Sequence, residues 1–292
     1  MRKNGEVTRR RFLATAGMLP LAAAALQAAR QSGVPVGLEL YSVRTELTND
    51  LSGTLARVAE MGYELVEFYS PYLKWTPVMA RDVRRQLDDL GLRCPSTHNP
   101  AAAFSGDMLE HAIELNAILG SRMIIMASPP PKLETVDAWK QLAETCTAAT
   151  EALRPHGMSA GFHNHAVEWR PIDGQRPMDV LAAGTPREFV LQLDVGTCVQ
   201  AGADPVAWIE ANPGRIRSMH CKDWGAGDDR GYAVAFGEGD APWMRIFDAA
   251  ESVGGIEHYY IEQEVSPPGG QFAMAERCLA NYRQLRAGAR GG

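Results

Sequence analysis

Ionisable and imidazole side chains in this chain collect at the ends of short apolar runs. In order, those ends read Glu39, Glu67, His98, His163 with His165, Asp194, His220 with Lys222, and Glu262 with Glu264. Four of the seven histidines stand there; His111, His156 and His258 do not. Residues two apart in a strand share a face, so His220 and Lys222 point together, opposite Met219 and Cys221. By the same rule Gln192 pairs with Asp194, and Tyr260 with Glu262 and Glu264. Buried charge must be paired or must bind a metal. Asp194, His220 and Glu262 on three consecutive strands therefore predict one divalent cation. Mixed oxygen and nitrogen donors suit Mn, Mg, Co or Zn, with a position left open for substrate. The alternative is a self-sufficient cluster in which Asp194 supports His220 and Glu262 meets Lys222.

The elements that must position these groups alternate regularly. Eight β-type runs are Val36 to Tyr41, Leu65 to Tyr69, Arg93 to His98, Met123 to Ala127, Ser159 to His163, Phe189 to Asp194, Ile216 to His220 and His258 to Glu262. Between them, helical periodicity predicts Leu51 to Met61, Met79 to Leu90, Met108 to Leu119 and Leu133 to Leu153, with Gly62, Gly91, Gly120 and Gly157 placed as C-caps. Units repeating about every 32 residues, joined by right-handed crossovers, predict a single (β/α)8 TIM barrel over residues 33–292. A doubly wound sheet is the alternative, but no GxGxxG follows the first run. The stretch from Gly225 to Gly239 reads as an active-site loop.

Composition bounds the partners. The 292 residues are 46% hydrophobic and 22% charged, as expected of a globular protein. Residues 1–32 carry six basic side chains against one acid, so the net charge of −6 becomes −11 without them. Such an acidic body would repel a polyphosphate, and no nucleic-acid partner is expected; a small molecule is. The basic opening followed by the uncharged Phe12 to Ala29 reads as a cleaved leader, too weakly apolar to anchor the mature chain in a membrane. Its run Thr8-Arg9-Arg10-Arg11-Phe12-Leu13 resembles a twin-arginine export signal. That resemblance implies contact with the twin-arginine machinery, a periplasmic or otherwise exported location, and folding before export, often around a metal. Five cysteines without a CxxC pair indicate neither a disulfide framework nor a zinc ribbon.

The ordered strings GLELYSVRTEL, GYELVEF, GFHNHAVEW, LQLDVGT, MHCKD, FGEGD and IEQE span nearly all of residues 33–292. In that order they resemble the xylose isomerase-like barrel superfamily, specifically its sugar phosphate isomerase/epimerase branch. The resemblance implies a divalent ion held by the last four strands through a carboxylate, Asp194, His220 and Glu262. At the fifth strand either His163, by strand geometry, or Glu168, by charge balance, completes the set, and charge balance favours Glu168. Glu39 stands where the branch has Gln.

Such a site suits proton abstraction beside a carbonyl through an enediolate. Glu262, Glu168, His165 and His163 are the candidate bases, with Lys222 steadying the developing negative oxygen. Glu67, His98, His163 and Glu264 are the expected substrate contacts. The predicted activity is a metal-dependent sugar or keto-sugar isomerase or epimerase acting on a carbohydrate, which for an exported enzyme need not be phosphorylated. The alternatives are a 3-keto-glycoside lyase working by β-elimination, an endonuclease IV-like phosphodiesterase and a non-catalytic sugar-binding barrel.

Overall fold

The computed structural model describes residues 33–288 apart from 266 and 268; the expected leader and export signal in residues 1–32 lie outside the described residues. Eight parallel strands, β1 (Val36–Glu39), β2 (Leu65–Phe68), β3 (Arg93–Pro100), β4 (Met123–Ser128), β5 (Ser159–His163), β6 (Val190–Asp194), β7 (Ser218–Cys221) and β8 (His258–Ile261), pair in sequence order. β8 then pairs back to β1, with Leu38 opposite Ile261, and the barrel is closed.

Helices α1 (Arg44–Asn49) and α2 (Leu51–Met61) follow β1; α3 (Pro77–Leu90), α4 (Gly106–Leu119), α5 (Val136–Leu153) and α6 (Pro177–Gly184) follow β2 to β5. α7 (Val195–Gln200) and α8 (Pro205–Ala211) follow β6, α9 (Trp243–Ala249) follows β7, and α10 (Gly270–Gly288) follows β8. None of the described helices is long and apolar enough to cross a membrane.

Local chemistry sets the boundaries. α2, α3 and α5 start where Asp50, Thr76 and Thr135 accept the backbone N–H of Gly53, Met79 and Ala138. Hence α5 begins at Val136 rather than Leu133. Gly62, Gly91 and Gly120 end α2, α3 and α4 with φ of 92°, 68° and 78°, a conformation that disfavours any side chain with a Cβ. β1 stops at Glu39 instead of running to Tyr41, because the Glu39 carboxylate accepts the Tyr41 N–H at 2.7 Å and turns the chain into a 3-10 turn, Leu40–Val43.

The apolar residues of α5 that face the sheet, Trp139, Leu142, Ala143, Cys146, Ala149 and Leu153, are buried, which drives the helix onto the barrel. In β5 the barrel closes tightly enough to require glycine: a Cβ on Gly161 would stand 2.4 Å from Ile125 Cδ1 and 2.8 Å from Val190 Cβ. Cys94, Cys146, Cys198, Cys221 and Cys278 are all buried and free.

Candidate functional site

The four clustered donors of this site lie at or near the C-terminal ends of consecutive strands, where barrels place their chemistry. His163 ends β5, Asp194 ends β6, His220 is in β7 and Glu262 follows β8. One donor atom from each lies within 4.8 Å of the others, and all four side chains are buried. His98, from β3, joins His163 and His220 in an overlapping group. Its ring stacks on His220 at 4.8 Å with 9° between planes, and His163 meets His220 edge-on at 4.5 Å.

His220 is held at both nitrogens. Nδ1 lies 2.7 Å from Glu262 Oε2, and Nε2 lies 2.6 Å from Glu67 Oε2. Burial alone would depress its basicity, but the charge of Glu67 and the bonds to Glu262 and Glu67 outweigh that and hold it well above the ordinary histidine value. Glu67 is the converse. Burial would raise its pKa, yet His98 and His220 bring it down to about 2. His163 has no facing carboxylate within hydrogen-bond reach, and burial, with the neighbouring charge of His220, keeps it well below the usual value and neutral.

Asp194 is the unsatisfied member of the cluster. Its Oδ1 accepts the Thr197 N–H at 2.8 Å, capping α7, while its wholly buried Oδ2 has no hydrogen-bond partner. Burial lifts its carboxyl to about 6 in spite of the nearby Lys222. Glu262 goes the other way: burial would raise it, but Lys222 and His220 take it well below the carboxylate range. Lys222 Nζ lies 3.6 Å from Glu262 Oε1 and 3.7 Å from Asp194 Oδ2, and donates to Glu264 Oε1. It also lies 5.1 Å from the centre of the Tyr232 ring, a cation–π contact.

Several sequence-predicted residues occupy positions other than those expected. Glu168, favoured as the fourth donor, is not among the four clustered groups. It lies in the 3-10 turn after β5, where its Oε2 accepts the His165 N–H at 2.7 Å, and His163 supplies the β5 donor instead. The reason is strand geometry: His163 is the last residue of β5, and a turn separates Glu168 from it. Glu168 Oε1 is buried without a partner. Glu67, expected on substrate, is fully buried; Oε1 accepts from Ser96 and Gln192, and Oε2 faces His220, so both oxygens are engaged inside the barrel. Glu264 is taken by Lys222. His98 is spent on Gln192, with Nε2 2.6 Å from the amide oxygen. His165 is half-buried beside His163, ring centres 5.1 Å apart. The self-sufficient alternative is also partly present, since Lys222 does face Glu262 and Asp194.

Sequence reasoning passed over three residues. Asn164 accepts the Asp194 N–H at 3.0 Å and donates to the Asp194 carbonyl at 3.2 Å, which ties the chain just past β5 to the end of β6. Its place between two histidines in GFHNHAVEW was the available signal. Ser96 gave none. Asp223 Oδ2 accepts from Gly237 N, Gly239 N and Trp243 Nε1 at 2.9, 3.1 and 2.8 Å and so folds the loop that carries Tyr232; its sequence signal was the MHCKD string.

The four donors suit a divalent ion on chemical grounds. They are two carboxylates and two imidazoles, buried and convergent, and one carboxylate oxygen lacks any hydrogen-bond partner; His220, bonded to a carboxylate at each nitrogen, would give up one of those protons to bind the ion. A (β/α)8 barrel with such a group at its C-terminal mouth defines a class of enzyme-bearing folds. The chain belongs to the xylose isomerase-like TIM barrel family, whose profile matches residues 55–280.

Among solved structures it is similar to a sugar phosphate isomerase/epimerase from Parabacteroides distasonis ATCC 8503, at 26% identity over 86% of this chain and 94% of that one, with a TM-score of 0.72. A second sugar phosphate isomerase/epimerase from the same organism shares 25% identity over 84% of this chain and 96% of that one, with a TM-score of 0.69. A probable 3-DHS dehydratase from Bacillus anthracis, 15% identical over 84% of this chain and 98% of that one with a TM-score of 0.64, shares the fold. Among curated proteins none matches.

Proposed function

We propose that this chain is a divalent-metal-dependent isomerase or epimerase of an unphosphorylated sugar or keto-sugar, working through an enediolate. The observation that carries the reading is the unpartnered Asp194 Oδ2 inside a cluster of four buried donors, since an orphaned buried carboxylate oxygen costs free energy unless something fills the gap. His163, Asp194, His220 and Glu262 would hold the ion. When bound, the ion supplies Lewis-acid stabilisation of the negative charge that develops beside the carbon losing its proton.

The chain's own groups do the rest. Glu262, kept deprotonated by Lys222 and His220, takes the proton from the carbon next to the carbonyl. His165, half-buried at the β5 end of the mouth, returns it, and epimerisation needs two such groups on opposite faces of the sugar. Lys222 donates to the oxygen that becomes negative. The mouth offers a phosphate little: Lys222 is bonded to Glu264 and faces Glu262, and the nearby Arg44 spends its guanidinium on the Tyr41 and Glu264 carbonyls. The similarity to two sugar phosphate isomerase/epimerases supports the reaction class. The leader-like residues 1–32 support an exported enzyme that meets free carbohydrate.

The test couples elemental analysis to proton exchange. Wild type purified anaerobically should carry about one divalent ion per chain and wash deuterium from D2O into a keto-sugar drawn from a panel. Asp194→Asn and His220→Ala should lose the ion while keeping the barrel's circular dichroism. Full occupancy in both variants would remove the ion assignment. Products of smaller mass than the substrate would reassign the enzyme to β-elimination, and binding without exchange would make it a carbohydrate-binding barrel.

A further inference from the structure

We propose that Gln192 is a positioning residue that fixes the tautomer of His163, leaving the lone pair of His163 Nε2 aimed at Asp194. The inference deepens the proposed metal site and rests on that reading.

Gln192 lies two residues before Asp194 on the inward face of β6 and is completely buried. An amide has a donating and an accepting end, and here the surroundings decide which is which. The NH2 group donates to Glu67 Oε1 at 3.0 Å and to Ser218 Oγ at 2.8 Å. Flipped, the amide would set its oxygen against a carboxylate oxygen, two acceptors with no proton between them. The amide oxygen therefore faces His98 Nε2 at 2.6 Å and His163 Nδ1 at 3.1 Å. Oxygen can only accept, so both ring nitrogens must carry protons. A neutral His163 protonated at Nδ1 has a bare lone pair at Nε2.

That lone pair faces Asp194 Oδ2 across 3.7 Å, and Oδ2 has no hydrogen-bond partner, the Lys222 ammonium standing beside it at 3.7 Å without bonding it. Two buried acceptors held face to face are unfavourable without a cation between them. In the other tautomer His163 would donate from Nε2 to Asp194, and the cluster would satisfy itself. Gln192 blocks that escape: its oxygen requires the proton on Nδ1, and Glu67 prevents the amide from turning. The same device that orients metal-bound histidines through their distal nitrogen elsewhere here reaches two imidazoles from one amide.

The experiment reads the tautomer directly in metal-free protein. Long-range 1H–15N spectra of histidine-labelled wild type, assigned by the loss of signals in His163→Gln, should place His163 Nδ1 in the protonated range and Nε2 in the lone-pair range. Gln192→Met keeps the bulk and removes the amide. It should move His163 to the Nε2–H form and weaken Mn binding, measured by calorimetry, by about tenfold to a hundredfold. A wild-type His163 protonated at Nε2 overturns the proposal; so does a folded Gln192→Met chain with unchanged tautomer and affinity. The wild-type spectrum decides without any variant, should Gln192→Met fail to fold. Failure of the metal reading looks different: wild type would take up no divalent ion while His163 still carried its proton on Nδ1.

Discussion

Replacing Lys222 with methionine removes one charge and little volume from the centre of the mouth. Its ammonium lies 3.6 Å from Glu262 and 3.7 Å from Asp194 and is bonded to Glu264. At an effective dielectric constant of about 20, each of the two longer contacts is a gross attraction of about 4.5 kcal/mol. Most of that is offset by the cost of holding the ammonium out of water. Deleting one partner of a buried pair still costs about 3–5 kcal/mol, because the remaining charge stays behind. Glu264 is the most exposed of the three carboxylates, at 43% of its side chain, and can return to water, so the lower end, about 3 kcal/mol, is expected.

For a barrel of this length that is a fall in Tm of about 6–12 °C in the presence of a chelator. Loss at pH 8 should exceed loss at pH 6, because Asp194, already lifted to about 6 by burial, rises further without Lys222 and escapes by taking up a proton. Saturating Mn, at about 100 times its Kd, should restore about 2.7 kcal/mol. The affinity for Mn should rise about tenfold, since the ion no longer competes with an internal cation. Differential scanning calorimetry with and without Mn reads the first quantities and titration calorimetry the last. A Lys222→Met chain that melts with wild type in chelator, or that binds Mn more weakly, refutes the view of Lys222 as the resident counter-charge.

Three further outcomes follow from particular contacts. His258 is held down to about 4, first by burial and then by Arg93 and Arg217 against the opposing Glu257; a folded value below the unfolded one means stability is complete above about pH 6.5 and is lost as pH falls towards 4, by at most about 3 kcal/mol. His258→Gln should flatten that part of a urea-unfolding series between pH 4 and 8, and an unchanged slope would place the acid sensitivity elsewhere. Gly161→Ala forces a methyl against Ile125 and Val190 and should cost about 1–3 kcal/mol in denaturant unfolding; a neutral result would mean that β5 shifts freely. Asp223→Asn turns one end of a carboxylate that serves Gly237, Gly239 and Trp243 into a donor, so amide exchange at Gly237 and Gly239 should quicken and kcat/KM fall, whereas unchanged protection would release Asp223 from its role in the loop.

The barrel was legible because its signals are local and repeated. Short apolar runs marked all eight strands, β5 to the residue, and α2 was marked over Leu51–Met61. Boundaries slipped where a side chain intervened, as Glu39 does at the end of β1 and Thr135 before α5. At the site, alternation brought out Asp194, His220 and Glu262 together, since sharing a face is a backbone property. It could not say which inward carboxylate meets substrate and which meets an imidazole, and Glu67 went to His220 across the barrel from β2. Charge counting pointed to Glu168, but a carboxylate five residues past the strand turned back to cap His165. Asn164 and Ser96 escaped because uncharged side chains reveal their partners only in three dimensions.

His220 draws its two carboxylates from opposite ends of the sequence, Glu67 in β2 and Glu262 just after β8. A half-barrel made of β5 to β8 would possess all four donors and still lack the acid that backs the Nε2 side of His220, as well as the anchor that keeps Gln192 from turning. The ligands thus sit in one half of the cylinder while a carboxylate that steadies His220 and Gln192 comes from the other, so this arrangement is complete only when the ring closes.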